Sequence, residues 1–288
     1  MNKNALGKIC LLVCSIIFGF AYSFQHRVGE YIEPFMVNAI RFLISSICIF
    51  PFVLKRKDNV STKVYVKVGF MTGLLLFVGN YTQQLATKYS SPGKIGFIVS
   101  LYIIFVPILN YFFFKKKINF LTLISISLAI FGLVILCNIT DLNFKLGDIL
   151  SLICAILYAA QILYVDRYAD TLDPVKFAFA EFIGTGVMSF IGALIFEPIS
   201  VAGIENVIVD ILFIGVVSGC LGYFLQILGQ KFTDNTIASM IMSLESVFAV
   251  FAEFVLLGQL LSKKELLGCL IMFVGVILCI KANKNNVK

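Results

Sequence analysis

Four ionisable residues stand inside long apolar stretches of the chain: Arg41, Glu181, Glu245 and Glu253. A charge at the centre of a bilayer costs at least ~2.5 to 3.5 kcal/mol on insertion scales, so each needs a partner, a neutralising proton or a water-filled cavity. Glu245 falls about nine residues into its run, roughly 13 Å along a helix axis and near mid-depth. A carboxyl there can take up and release a proton or hold a substrate amine, which makes Glu245 the leading candidate for proton coupling. The alternative is an acid that only hydrogen-bonds its helix to a neighbour. Arg41 reads as a carboxylate-binding or gating group, or as an anchor. Glu181 reads as structural and Glu253 as a rim residue.

Uncharged polar residues share the same depth: Asn80, Gln83, Ser100, Gln161, Gln226 and Ser243. Singly, such groups tie helices together through hydrogen bonds. As a set they could line one cavity and fix the orientation of a small polar solute. Tyr102 joins them near mid-depth, and Tyr81 and Tyr164 are further candidate wall residues.

The elements that position these groups must be membrane helices. Of 288 residues, 60% are apolar and 14% charged, and the mean hydropathy is +0.98, outside the range of a water-soluble domain. Charges fall in bursts such as Lys55-Arg56-Lys57-Asp58 and Lys115-Lys116-Lys117, separated by apolar runs. The runs predict helices over 5–24, 35–54, 66–86, 95–114, 120–138, 147–165, 176–196, 208–229, 236–257 and 265–281, long enough for a ~30 Å hydrocarbon core. They are apolar on every side, unlike the alternating strands of a membrane barrel. The first run lacks a small-x-small cleavage site and is expected to remain in the mature protein. Eight cysteines, none in a CxxC pair, lie in or beside the runs and read as small buried hydrophobes.

Charge asymmetry predicts orientation. With the N-terminus inside, 16 of the 23 Lys and Arg fall on the inner side and 6 on the outer, leaving Arg41 within the membrane. Both termini are therefore expected in the cytoplasm. The net charge of +7 is accounted for by these flanking residues, so no nucleic-acid partner is expected.

The chain also repeats itself. A shift of 140 aligns Gly7 with Gly147, Cys14 with Cys154, Arg27 with Arg167, Pro34 with Pro174 and Phe42 with Phe182; a shift of 143 aligns Gly79 with Gly222, Gln83 with Gln226, Lys88 with Lys231 and Ser100 with Ser243. The halves, 1–140 and 141–288, hold five predicted helices each, and an odd number turns the second half upside down. Two inverted five-helix repeats are a plan of secondary transporters, with the binding site near the midplane between repeats. The shift of 143 pairs Glu245 with Tyr102, and the shift of 140 pairs Arg41 with Glu181. Inversion separates Arg41 and Glu181 in depth by roughly 12 Å, which argues against a salt bridge and for snorkelling, local pairing or separate vestibules.

Other chemistries lack their residues. The chain has no GxxxxGK[ST] phosphate loop, its single histidine, His26, has no metal-ligand cluster around it, and no nucleophile, base and acid assemble within the membrane. An enzyme is not expected.

The stretches GKIGFIVSLYIIFVPIL (93–109), LQILGQKFTDNTIASMIMSLESVFAVF (225–251) and LLGCLIMFVGVIL (266–278) resemble the EamA branch of the drug/metabolite transporter superfamily. Gln226, Gln230, Ser243 and Glu245 fall where its LQ-x-x-GQ and SLE patterns place them. The chain departs from the family at Leu257-Gly258-Gln259, often LGE, and at Ser246, often proline. The resemblance implies alternating access in a ten-helix basket, export of amino acids or other small metabolites, and no organic cofactor. The expected reading is a proton-coupled or facilitative carrier in the cell membrane, a monomer or homodimer, with a cavity lined by helices 1, 3, 4, 6, 8 and 9. Its rivals are a carrier of sugars, nucleotide-sugars or lipid-linked groups, and a non-transporting membrane helper subunit.

Overall fold

The computed structural model describes residues 2–90, 92–115, 118–136, 145–198, 204–257 and 262–283. Outside them lie the expected boundary between halves at 140/141, Cys137, Lys116, Lys117, Gly258, Gln259, Lys284 and Lys288. The described residues form α1 (Lys3–Val28), α2 (Pro34–Val53), α3 (Thr62–Ala86), α4 (Gly93–Phe114), α5 (Phe120–Leu136), α6 (Leu146–Ala169), α7 (Pro174–Phe196), α8 (Ile204–Lys231), α9 (Asn235–Leu256) and α10 (Lys263–Ala282). Among the described residues, nine of these are long and apolar enough to cross a membrane, and α5, with 17 residues, is a shorter apolar helix.

Several helices outrun the apolar segments that predict them, because polar residues just outside each run still satisfy helix ends. Asp234 accepts from the Thr236 amide at the start of α9, and Ser262 and Glu265 bond each other's amides at the start of α10. Pro34 and Pro174 open α2 and α7, where a missing N–H costs nothing. Glu197 caps α2 from a distance, taking the amides of Phe35 and Met36 at 2.7 and 2.9 Å.

The packing repeats with the sequence. Helices α1 to α5 correspond to α6 to α10, and each principal contact occurs with its mate: α3 on α6 with α8 on α1, α3 on α7 with α8 on α2, and α4 on α6 with α9 on α1. The pairs α2/α7 and α5/α10 are their own mates. They run antiparallel: Gly186 lies on Leu43 and Gly192 on Phe35, while Gly132 lies on Met272 and Gly268 on Leu136. An in-plane twofold axis demands this antiparallel arrangement, and the fold is two inverted five-helix repeats. In α5/α10 the backbones meet at glycine. A Cβ on Gly268 would stand 2.5 Å from the Leu136 nitrogen, so only a residue without one permits this approach.

Side chains sort by solvent. Phe112, Phe113, Phe196 and Leu270 are exposed, an arrangement stable only against lipid, whereas Ser15, Ser45, Asn80, Gln161, Glu181 and Gln230 are buried. Because lipid is as apolar as a protein core, the buried polar groups and close glycine contacts supply much of the specificity of helix association.

Candidate functional site

A cavity of about 40 Å³ lies between the halves, with Arg41 of α2, Gln83 of α3, Tyr102 of α4, Gln161 of α6, Gln226 of α8 and Glu245 of α9 on its wall. Helices α1 to α4, α6, α8 and α9 reach it. Arg41 brings α2 into the lining, beyond the six helices expected from sequence. The volume holds about three waters at ~10–15 Å³ each.

Arg41 is 2% exposed. One guanidinium nitrogen donates to Asn80 Oδ1 at 3.0 Å and the other terminal nitrogen to Ser218 Oγ at 2.8 Å, while the rings of Phe42 and Tyr223 lie 5.3 and 5.4 Å from its central carbon. Among the described residues no carboxylate stands within ion-pair distance. The guanidinium is thus held by neutral dipoles and ring faces, with its charge left for another group. Snorkelling, one of the expected arrangements, does not occur. The partner Ser218 sits in a stretch of wider π-helical turns, Phe213–Gly222. There the loosened backbone also offers the Gly215 carbonyl to Ser45 Oγ at 2.8 Å.

Glu245 is 5% exposed and accepts from the Tyr22 hydroxyl at 3.3 Å. The buried Tyr102 hydroxyl faces the same carboxyl without closing a well-aligned hydrogen bond. No cation among the described residues pairs with Glu245. The carboxyl therefore rests between two phenols in an apolar surround.

Both Tyr102 and Glu245 follow a break in their helices. In α4 the Leu101 amide turns to Ile98 and the Ile104 amide to Leu101; in α9 the Leu244 amide turns to Ile241 and the Ser246 amide to Ser243. These tight turns fall at repeat-equivalent positions. In α9 the disturbed carbonyls are met by hydroxyls: Ser243 Oγ donates to Met240 O at 2.8 Å and Ser246 Oγ to Ser243 O at 2.9 Å. Serine at position 246 thus does locally, by hydrogen bonding, what proline would do by removing a donor. Ser100 and Ser243 are buried at the breaks and lie off the cavity wall; the Ser243 hydroxyl bonds the backbone, and that of Ser100 has no hydrogen-bond partner among the described residues.

A third cluster joins the cavity to Glu181. The Gln226 amide donates to Gln161 Oε1 at 2.9 Å, and the Gln161 amide donates to Glu181 Oε1 at 2.9 Å. Gln230 extends the ladder, giving its amide to the Ile162 carbonyl at 2.8 Å. Glu181, fully buried on α7, reaches the cavity only through Gln161. Across the cavity Gln83 accepts from the Tyr158 hydroxyl at 2.6 Å.

The structure thus brings Arg41, Gln83, Tyr102, Gln161, Gln226 and Glu245 to one wall, and sets Asn80 directly behind Arg41. Tyr81 and Tyr164 stand elsewhere: Tyr81 stacks on Phe35 with ring centres 3.9 Å apart, and Tyr164 lies against Tyr168 at 5.1 Å. The cavity tyrosines besides Tyr102 are Tyr22, Tyr158 and Tyr223. Their signal was present in the repeat. Cys14 and Cys154 align, one turn further come Phe18 and Tyr158, and Tyr22 follows by another turn; Tyr223 is the mate of Asn80.

The model of the EamA-like transporter family matches the chain twice, over residues 5–138 and 145–281. An uncharacterized transporter of Archaeoglobus fulgidus is 26% identical over 276 residues, spanning 96% of this chain and 86% of its own length. One of Clostridium kluyveri is 24% identical over 303 residues, spanning 96% of this chain and 94% of its own. A crystal structure at 17% identity superposes with a TM-score of 0.75 over 96% of this chain and 97% of that one, a likeness of fold. With two matches that together cover nearly the whole sequence, the chain belongs to the EamA family of the drug/metabolite transporter superfamily and is a multi-pass membrane transporter.

Proposed function

We infer that the protein carries a small zwitterionic metabolite, such as an amino acid, across the cell membrane by alternating access. The observation that supports this reading is that Arg41 and Glu245 both line one cavity, neither with an ionic partner of its own among the described residues. A substrate carboxylate would take the charge of Arg41, and an ammonium would take the Glu245 carboxylate. Two buried groups of opposite sign in separate parts of a cavity suit a ligand with the same charges in reverse. Glu245 would carry a proton when the ammonium is absent, which couples the carrier to protons; the same cycle without net proton movement is facilitative.

The cavity of about 40 Å³ is smaller than an amino acid, so transport would require the site to widen. Rocking of the halves, 1–140 against 141–288, would enlarge it on one side at a time. The breaks beside Tyr102 and Glu245 supply the bending points. The excess of basic residues on one side favours cytoplasmic termini, and export is the direction in keeping with the family resemblance.

Counterflow in proteoliposomes tests the substrate class. Accumulation of a labelled amino acid should be competed by free amino acids and much less by their N-acetyl or carboxamide forms, each of which lacks one charge. Equal competition by the capped and free forms would overturn the zwitterion reading, and competition by sugars alone would replace it.

A further inference from the structure

A second and larger concavity, with a volume of about 600 Å³, lies between α3 and α7, away from the central cavity. Its walls are apolar: Val66 and Phe70 on α3 face Phe179, Ile183, Val187 and Ile191 on α7. It exists because the two helices touch at small residues, Gly69 against Ala180 and Gly73 against Thr185, and Gly184 leaves the wall between them low. The groove opens sideways, with Val66 and Ile191 62% and 50% exposed. From Lys176 to Ile191 it follows α7 for roughly 22 Å, most of the depth of a ~30 Å hydrocarbon core.

One end of the groove is basic. Lys176 lines it, and the exposed Lys63 and Lys67 lie on α3 outside the lining, each about one helical turn before Val66 and Phe70 respectively. The connection from α2 adds Lys55, Arg56 and Lys57, all exposed. The acids nearby are engaged: Asp58 pairs with Lys176 at 3.2 Å and accepts from the Tyr65 hydroxyl at 2.6 Å, and Asp173 caps α7. The cations on α3 and in the connection therefore remain in excess at the level where lipid headgroups lie.

We propose that this groove is a binding site for an anionic phospholipid, its acyl chain lying between α3 and α7 and its phosphate held by Lys63, Lys67 and the 55–57 cluster. An apolar slot of membrane depth ending in a basic mouth is complementary to this ligand class and to no water-soluble one. The groove's small-residue contact joins α3 of one half, which also lines the cavity, to α7 of the other, so a bound chain would brace an interface between the two halves.

The chain has no tryptophan, which permits a direct test on the full-length protein. Phe70→Trp places a reporter in the groove and Leu270→Trp, on the lipid face of α10, serves as reference. Each is reconstituted in phosphatidylcholine vesicles with a minor fraction of phosphatidylglycerol, bromine being carried on the acyl chains of one lipid or the other. At Phe70→Trp brominated phosphatidylglycerol is expected to quench with a marked preference, absent at Leu270→Trp. Lys63→Gln and Lys67→Gln, both exposed and harmless to folding, should each lower that preference by about fivefold. Equal quenching by the two lipids, or a preference unchanged in the lysine variants, overturns the proposal. Quenching by neither also overturns it and points to a second copy of the chain covering the groove.

Discussion

Asn80 and Tyr223 stand at equivalent positions of the two halves, 143 residues apart, and their side chains hydrogen-bond to each other at 3.3 Å. Residues related by a twofold operation can touch only where the axis passes between them. Phe42 and Phe182, also equivalent, meet at 6.2 Å, and the Tyr102 hydroxyl faces the Glu245 carboxyl. The pseudo-twofold axis therefore runs through the cavity, and a solute there would meet both halves.

Arg41 leans on this axis through Asn80, which makes Asn80 a test of what the guanidinium does. Asn80→Ala removes one of its two side-chain acceptors and should lower stability by about 1.5–3 kcal/mol, read from thermal unfolding of the purified protein. Asn80→Asp supplies a permanent counter-ion instead. It should keep or raise the unfolding temperature while severely reducing transport, because the charge meant for the substrate is already met. Normal transport in Asn80→Asp would make Arg41 an anchor only.

The glutamine ladder should behave as a unit. Gln161→Ala removes the donor at 2.9 Å from Glu181 Oε1 and leaves the Gln226 amide only its longer contact to Gln230 Oε1 at 3.3 Å, at a cost of about 1–3 kcal/mol. Once it is made, Gln226→Ala should add little, with a coupling of about 0.5–3 kcal/mol in a double-mutant cycle. Strict additivity would show that the ladder is not cooperative.

Much of this arrangement was legible in the chain itself. Helix number, inversion and the pairing of Tyr102 with Glu245 follow from hydropathy and from coincidences at shifts of 140 and 143. Which face each helix turns inward did not follow, because apolar residues satisfy lipid and protein alike and leave no amphipathic stripe to fix the phase. Tyr81 and Tyr164 share the depth of the polar positions but not their phase, and the wall holds Tyr22, Tyr158 and Tyr223 beside Tyr102. Arg41 and Glu181, equivalent under the repeat, have different surroundings: Arg41 faces the cavity, and Glu181 is screened from it by Gln161. No local pattern announces either partner.

The α5/α10 pair depends on bare backbone contact. A side chain on Gly268 would strike the Leu136 backbone at 2.5 Å, so Gly268→Leu must spread the helices. A loss of at least about 1–3 kcal/mol and a lower yield of folded protein are expected. Gly93, whose nearest neighbour would be 4.0 Å away, should accept alanine without such loss, and equal damage at both positions would discount the contact.

Outside the membrane, the Tyr65 hydroxyl, together with Lys176, holds Asp58 below the usual carboxylate range. Since the folded value lies below the unfolded one, the stabilisation is present above about pH 4 and is lost as pH falls through the folded value. Asp58→Asn should therefore unfold earlier than the parent at neutral pH, and the difference should close on acidification. A gap that persists at low pH would assign the effect to something other than ionisation.

The most direct measurement is transport by Glu245→Gln in oriented proteoliposomes, with folding verified by unfolding temperature. Glutamine keeps the shape and the Tyr22 contact but can neither ionise nor shed a proton. The expected result is a folded protein in which transport is abolished, or persists as exchange that no longer responds to pH. Full, pH-sensitive transport in this variant would contradict the assignment of Glu245 as the coupling and ammonium-binding group.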